Sequence, residues 1–124
     1  MQTYFKKRYN SFKFAIRGIN AAFRSEPHMR LHVLSAIAVV VAGLLFNVTT
    51  IEWCLLAGCI GLVVTAEVFN TAIETLTNLT SPEWHDLAGK TKDLAAGAVL
   101  IASLTAATVG LIIFLPYLLT YVNL

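Results

Sequence analysis

The first part of the chain alternates apolar and charged positions with the period of a helix. Its apolar side chains recur at spacings of 4, 3, 4, 3 and 4 residues, at Phe5, Tyr9, Phe12, Ile16, Ile19 and Phe23. The opposite stripe is polar and consists of Lys6, Lys13, Arg17, Asn20 and Arg24. This pattern predicts an amphipathic helix over about residues 4–24. Aromatic rings opposite cations favour a helix that lies on an anionic membrane surface, and packing against a protein partner is the alternative.

Three long apolar stretches follow, at about residues 31–46, 53–78 and 94–119. A helix of about 20 apolar residues crosses the hydrocarbon core of a bilayer. Pro27 predicts a helix start or bend before the first stretch, and residues 47–52 separate the first from the second. Ser81 and Pro82 have the sequence of a helix N-terminus. The predicted fold is an all-α integral membrane protein with an N-terminal surface helix and three transmembrane helices.

Composition supports a membrane protein and excludes other classes. The chain has 124 residues, of which 57% are hydrophobic and 13% are charged, and its mean hydropathy is +0.72. A soluble domain of this length could not bury so much apolar surface, and a disordered chain would be far more polar. The length fits a single domain over residues 1–124. A net charge of +2 on so apolar a chain argues against nucleic acid as a partner.

The basic residues are unevenly distributed and predict an orientation. Seven of the nine Lys and Arg side chains precede residue 31, and the other two are Lys90 and Lys92. Residues 47–52 and the segment after Pro116 have none. The positive-inside rule then predicts a cytoplasmic N-terminus, a cytoplasmic 79–92 loop and an external C-terminus.

Four polar side chains interrupt the second apolar stretch. Glu67, Asn70, Glu74 and Asn78 are spaced by 3, 4 and 4 residues and therefore share one helix face. Charged groups inside a membrane span are costly, so they indicate a functional site, although a polar seam between helices is the alternative. Counted from Trp53, Glu67 lies about 21 Å along the span. The deeper Glu67 can act as a base, and the shallower Glu74 can hold a hard cation such as Mg²⁺.

More charged groups are predicted at the same membrane level. Glu26 precedes the first span, and the third span is preceded by Glu83, His85, Lys92 and Asp93. Together with a metal ion they could bind a polyphosphate, and an ordinary charged rim is the alternative. The sequence has neither a P-loop nor the motifs of protein kinases. Cys54 and Cys59 lack metal-binding spacing and are expected to be small apolar side chains.

One segment resembles a known family. The run from Glu67 to Glu74, of the form ExxNxAIE, is followed by Glu83-Trp84-His85 and by Lys92-Asp93. This combination resembles the small prokaryotic membrane lipid kinases, the diacylglycerol kinase and undecaprenol kinase family, over about residues 6–117. The resemblance implies a homotrimeric helical bundle with sites between subunits, which phosphorylates a membrane lipid alcohol with ATP and Mg²⁺. Residues 23–32, 51–53 and 110–116 resemble the undecaprenol kinase branch, with diacylglycerol as the alternative substrate.

The resemblance also implies roles for individual residues. Glu67 corresponds to the general base that takes the proton of the lipid hydroxyl, with Asn70 as its polar neighbour. Glu26 and Glu74 correspond to the carboxylates that hold Mg²⁺ and also contact the nucleotide. The other positions that correspond to nucleotide contacts are Lys7, Phe14, Glu83, Trp84, His85, Lys92 and Asp93.

Lipid contacts are expected at Glu67, Lys7 and Phe23. Two positions depart from the family pattern: Trp84 replaces a more usual Tyr, and Asn78 replaces a usual Asp. The loss of that charge near the nucleotide puts the importance of position 78 in doubt, but both metal carboxylates remain. Two functions of other classes stay open: an ion conduit that uses Glu67 and Glu74, and a non-catalytic membrane module whose polar seam sets assembly.

Overall fold

A computed structural model describes residues 2–122, and they form four α-helices. These helices are α1 (Gln2–Ser25), α2 (Pro27–Leu45), α3 (Thr50–Thr80) and α4 (Asp86–Val122). The last three are each long and apolar enough to cross a membrane. The predicted all-helical architecture, with one amphipathic helix before three membrane helices, is therefore confirmed.

The connection between α2 and α3 is built by local hydrogen bonds. Asn47 adopts a left-handed backbone conformation with φ of 52° and turns the chain. Thr49 and Glu52 then form a capping box, in which each side chain accepts a hydrogen bond from the other residue's backbone N–H. This cap starts α3 at Thr50, a few residues before the predicted span.

The connection between the second and third predicted spans, residues 79–92, is helical over most of its length. The helix α3 continues to Thr80, and Ser81 ends it as the C-cap instead of starting a new helix at Pro82. The next helix begins at Asp86, where the His85 Nδ1 accepts a hydrogen bond of 3.1 Å from the Leu87 backbone N–H. This cap moves the helix start after Pro82, so residues 86–92 lie on α4 and only residues 81–85 are non-helical.

The membrane helices α3 and α4 pack antiparallel. At one end Lys92 bonds to Asn78, and at the other Tyr117 bonds to Glu52. We name these ends of the bundle the Lys92 end and the Tyr117 end. At the Tyr117 end, the ring of Phe46 stacks on that of Tyr117 with a centroid distance of 5.9 Å. The apolar core there consists of Val48, Leu56 and Ile113.

Most large apolar side chains of the three membrane helices are exposed in the single chain. The exposed set extends along the whole length of α4, from Leu87 to Val122. On α1 the aromatic stripe is also open, with Tyr9 exposed by 70% and Phe12 by 69%. Such a surface is stable where lipid covers it, so the molecule is an integral membrane protein.

Candidate functional site

The polar face of α3 is buried at its deeper end, at Glu67 and Asn70, and becomes exposed towards Asn78. Glu67 is only 2% exposed and Asn70 only 8%, although both lie in the middle of an apolar helix. Among residues 2–122, no side chain hydrogen-bonds to the Glu67 carboxylate. An unpaired carboxylate in an apolar environment is costly, so its presence indicates chemistry more than stability.

Asn70 lies between the two glutamates of this face and bonds to one of them. Its Nδ2 donates a hydrogen bond of 3.2 Å to Glu74 Oε1, one turn further along α3. Its Oδ1 is buried and has no hydrogen-bond partner among the described residues. Buried amide oxygens are normally paired, so this oxygen is free to accept a hydrogen bond from a bound molecule.

A second polar group lies at the Lys92 end, where α3 and α4 meet. The Lys92 Nζ donates a hydrogen bond of 2.6 Å to Asn78 Oδ1. Because Asn78 is neutral, this bond fixes the ammonium without cancelling its charge. Thr77, one residue earlier, is only 7% exposed and was not expected from the sequence. Its spacing of 3 and 7 residues from Glu74 and Asn70 is the signal that could have revealed it.

These residues line a polar pocket of about 200 Å³. The pocket is formed by the end of α3, the 81–85 segment and the first two turns of α4, and its lining includes Thr77, Asn78, Glu83, Trp84, His85 and Lys92. Trp84 is 87% exposed, so its indole is open for stacking. Asp93 is exposed beside the pocket and is not part of its lining.

Glu26 is held at the joint between α1 and α2. It is the N-cap of α2, and its backbone N–H donates to the Ala22 carbonyl, while its side chain makes no capping bond. Ala22 is 2% exposed and Met29 is 0% exposed, so buried side chains anchor the joint on both sides. The backbone of Glu26 is therefore fixed in place, and its half-buried side chain is available to a ligand.

The described residues contain no cluster of three or more His, Cys, Asp or Glu side chains. Glu26 and Glu74 nevertheless each carry the type of ligand that Mg²⁺ takes in proteins, a carboxylate oxygen. Mg²⁺ is usually held by one or two carboxylates together with water and substrate phosphates.

The sequence also predicted site residues on α1. Lys7 and Phe14 lie on its exposed part, and the Phe14 ring lies 5.6 Å from the Arg17 guanidinium. No hydrogen bond in the described chain joins either residue to the Lys92 pocket. Phe23 is half-buried near the α1–α2 joint.

Comparison with known proteins relates this arrangement to a family. The family profile described as prokaryotic diacylglycerol kinase matches residues 13–114. The undecaprenol kinase of Bacillus subtilis is 39% identical over 110 residues, which cover 89% of each chain. The diacylglycerol kinase of Synechocystis is 39% identical over 89% of this chain and 63% of its own length. That of Escherichia coli K12 is 32% identical over 75% of this chain and 76% of its own. The buried α3 face, the polar pocket and these matches agree: the chain belongs to the prokaryotic diacylglycerol kinase family.

Proposed function

We propose that this protein transfers the γ-phosphate of ATP to the hydroxyl of a membrane lipid alcohol, with undecaprenol as the preferred acceptor. The observation that carries the proposal is the side chain of Glu67, which is 2% exposed in an apolar helix and lies on the same helix face as Asn70 and Glu74. The identity of 39% to an undecaprenol kinase, over 89% of both chains, favours undecaprenol. Diacylglycerol is the second candidate, because a relative of the same identity over 89% of this chain is a diacylglycerol kinase.

Glu67 acts as the general base in this mechanism. Its carboxylate takes the proton of the lipid hydroxyl as the hydroxyl oxygen forms a bond to the γ-phosphorus. The bond from phosphorus to the β,γ-bridging oxygen breaks, ADP leaves, and the lipid becomes a phosphomonoester. Burial keeps water away from Glu67, which disfavours hydrolysis of ATP.

Asn70 is a positioning group for both reactants. Its Nδ2 fixes Glu74 through the hydrogen bond of 3.2 Å. Its free Oδ1 accepts a hydrogen bond on the side where the lipid alcohol binds. Glu74 and Glu26 would hold Mg²⁺, which would neutralise phosphate charge. Fixing these groups before the substrates bind reduces the entropy that the reaction would otherwise lose.

The nucleotide binds in the Lys92 pocket. The charge of Lys92 attracts phosphate oxygens, and the open indole of Trp84 offers a face for the base. Glu83, His85 and Asp93 surround the same segment. Lys7 and Phe14 complete the nucleotide contacts when α1 lies against the membrane surface, and Phe23 contacts the lipid.

We propose further that the protein is a homotrimer in a prokaryotic cytoplasmic membrane. The N-terminus and the 81–85 segment face the cytoplasm, where ATP is available, and the C-terminus faces outward. The distribution of Lys and Arg supports this orientation. In the trimer, neighbouring subunits contribute to each site.

A phosphotransfer assay in proteoliposomes tests the proposal. Purified protein is supplied with radiolabelled ATP, Mg²⁺ and either undecaprenol or diacylglycerol, and labelled lipid is counted. We expect a higher kcat/KM for undecaprenol and a loss of at least about 100-fold in kcat for Glu67→Gln, the scale of general-base catalysis. Glu52→Gln, at the Tyr117 end, is the matched control and should leave kcat unchanged.

Unchanged lipid phosphorylation in Glu67→Gln would remove the proposed base. If wild-type protein phosphorylates neither lipid but conducts ions across the proteoliposome membrane, the protein is a conduit and the kinase proposal fails. If the glutamate substitutions alter only the oligomeric state, the polar face is a structural seam.

A further inference from the structure

An apolar cavity lies between the three membrane helices, separate from the polar pocket. Its volume is about 360 Å³. Each of α2, α3 and α4 contributes to its lining, with residues from Leu31 to Val39, from Leu56 to Val64 and from Ser103 to Gly110. The lining is apolar except for a few groups such as His32, Ser35 and Ser103.

The position of this cavity relative to Glu67 is specific. Val63 and Val64 line the cavity, and Glu67 follows within one helical turn, a rise of about 5–6 Å. The cavity extends from there towards the Tyr117 end. The polar pocket lies in the opposite direction along α3, at Thr77 and Asn78. Glu67 is thus located between a polar pocket and an apolar cavity on the same helix.

One hydroxyl group of the cavity lining is unpaired. The Ser103 Oγ is buried and has no hydrogen-bond partner among the described residues. Other hydroxyls of α4 bond to the carbonyl four residues earlier, as in Thr105 to Ile101 and Thr108 to Leu104. Ser103 therefore differs from these two threonines, because its O–H is free to donate a hydrogen bond into the cavity. The electron-rich double bond of an alkene is a weak acceptor for such a donor.

We propose that this cavity binds the hydrocarbon chain next to the hydroxyl of the lipid alcohol, and that this chain is a single polyisoprenoid. The inference rests on the proposed function, because a hydroxyl located at Glu67 places its first carbon atoms at the cavity entrance. A single cavity bordered by three helices accommodates one chain. Diacylglycerol would bring two chains to the same point, so the cavity selects for a polyprenyl alcohol.

Gly110 provides a way to fill the cavity without a clash. It lines the cavity, and a Cβ atom added to it would meet no atom within 4 Å. The first atom added by Gly110→Leu therefore meets no neighbour, and the rest of the leucine side chain takes up space at the cavity wall. The matched control is Thr108→Leu, because Thr108 is exposed on the same turn of α4 and does not line the cavity.

The first test is photo-cross-linking, which does not depend on phosphorylation. The probe is a polyprenol with a diazirine on the isoprene unit nearest the hydroxyl, incorporated into liposomes with the full-length protein. We expect labelled peptides that contain the lining residues of α3 and α4, with labelling reduced at least fivefold in Gly110→Leu and unchanged in Thr108→Leu. Equal labelling in all three proteins, or equal competition by unlabelled phospholipid, would overturn the proposal.

The second test uses acceptors of different chain length. We expect Gly110→Leu to raise the KM for undecaprenol at least fivefold but to change kcat/KM for a five-carbon prenol less than twofold. An unchanged KM for undecaprenol, or a shift in oligomeric state that shows the cavity to be occupied by a second copy of the chain, would overturn the inference. If wild-type protein cross-links to the probe at the cavity but phosphorylates no alcohol, the proposed function fails while the binding site stands.

Discussion

The contact between Trp53 and Gly43 joins α2 to α3 and predicts a sharp response to one added methyl group. A Cβ at position 43 would lie 2.6 Å from the Trp53 Cη2 and 2.9 Å from its Cζ2. Both atoms belong to the six-membered ring of a rigid side chain, so the indole or a helix must move. Overpacking of this kind costs about 1–3 kcal/mol.

The same substitution has an opposite effect on the helix itself. Replacing a glycine inside a helix by alanine stabilises it by about 1 kcal/mol. The expected net result for Gly43→Ala is a loss of about 0–2 kcal/mol in the free energy of unfolding. A single variant is therefore a weak test, and a double-mutant cycle with Trp53→Phe is needed.

Phenylalanine lacks the outer ring atoms that would clash at position 43. In the Trp53→Phe background, Gly43→Ala should therefore stabilise the protein by about 1 kcal/mol. The assay is reversible unfolding in mixed micelles of a mild detergent and dodecyl sulfate, followed by far-ultraviolet circular dichroism. The cycle should give a coupling energy of about 1–3 kcal/mol. The same effect of Gly43→Ala in both backgrounds would refute the reasoning.

Three further predictions concern other parts of the molecule. Tyr117→Phe removes a hydrogen bond of 2.8 Å to the Glu52 carboxylate, and it should lower the free energy of unfolding by about 1–3 kcal/mol in the same micelle assay. An unchanged free energy of unfolding would mean that water replaces the bond. Asn78→Leu releases the Lys92 ammonium and should raise the KM for ATP about fivefold, because the lost hydrogen bond is worth about 1 kcal/mol. An unchanged KM for ATP would show that Lys92 needs no positioning by Asn78. Phe12→Ser disrupts the exposed apolar stripe of α1 and should lower activity in proteoliposomes more than in detergent micelles. Equal losses of activity in both would contradict a membrane-bound α1.

Helical periodicity was sufficient to predict the architecture and the polar face of α3. Spacing of 3 and 4 residues locates Glu67, Asn70 and Glu74 on one face without any tertiary information. The pairing of Lys92 with Asn78 could not be predicted in this way, because it joins two helices and depends on where each begins and ends. The sequence placed a helix start at Ser81-Pro82, whereas α4 begins at Asp86, after the cap that His85 forms.

Other features depend on packing and are hidden from sequence patterns. The cavity beside Val63 arises because three helices with small and branched side chains do not fill the space between them. The unpaired Asn70 Oδ1 and Ser103 Oγ are defined by missing neighbours, and a sequence records only the residues themselves. The roles inferred from family resemblance remain predictions that the variants above test.

The unequal lengths of the helices make the enzyme sensitive to bilayer thickness. At a rise of 1.5 Å per residue, the 19 residues of α2 extend about 28 Å, close to one hydrocarbon core. The 31 residues of α3 extend about 46 Å and tolerate a wide range of thickness by tilting. Because Glu26 alone separates α1 from α2, hydrophobic mismatch at α2 moves Glu26 relative to Glu74 on α3. The two carboxylates proposed to hold Mg²⁺ would then align best in bilayers whose acyl chains match α2, so membrane composition would tune phosphorylation without any bound regulator.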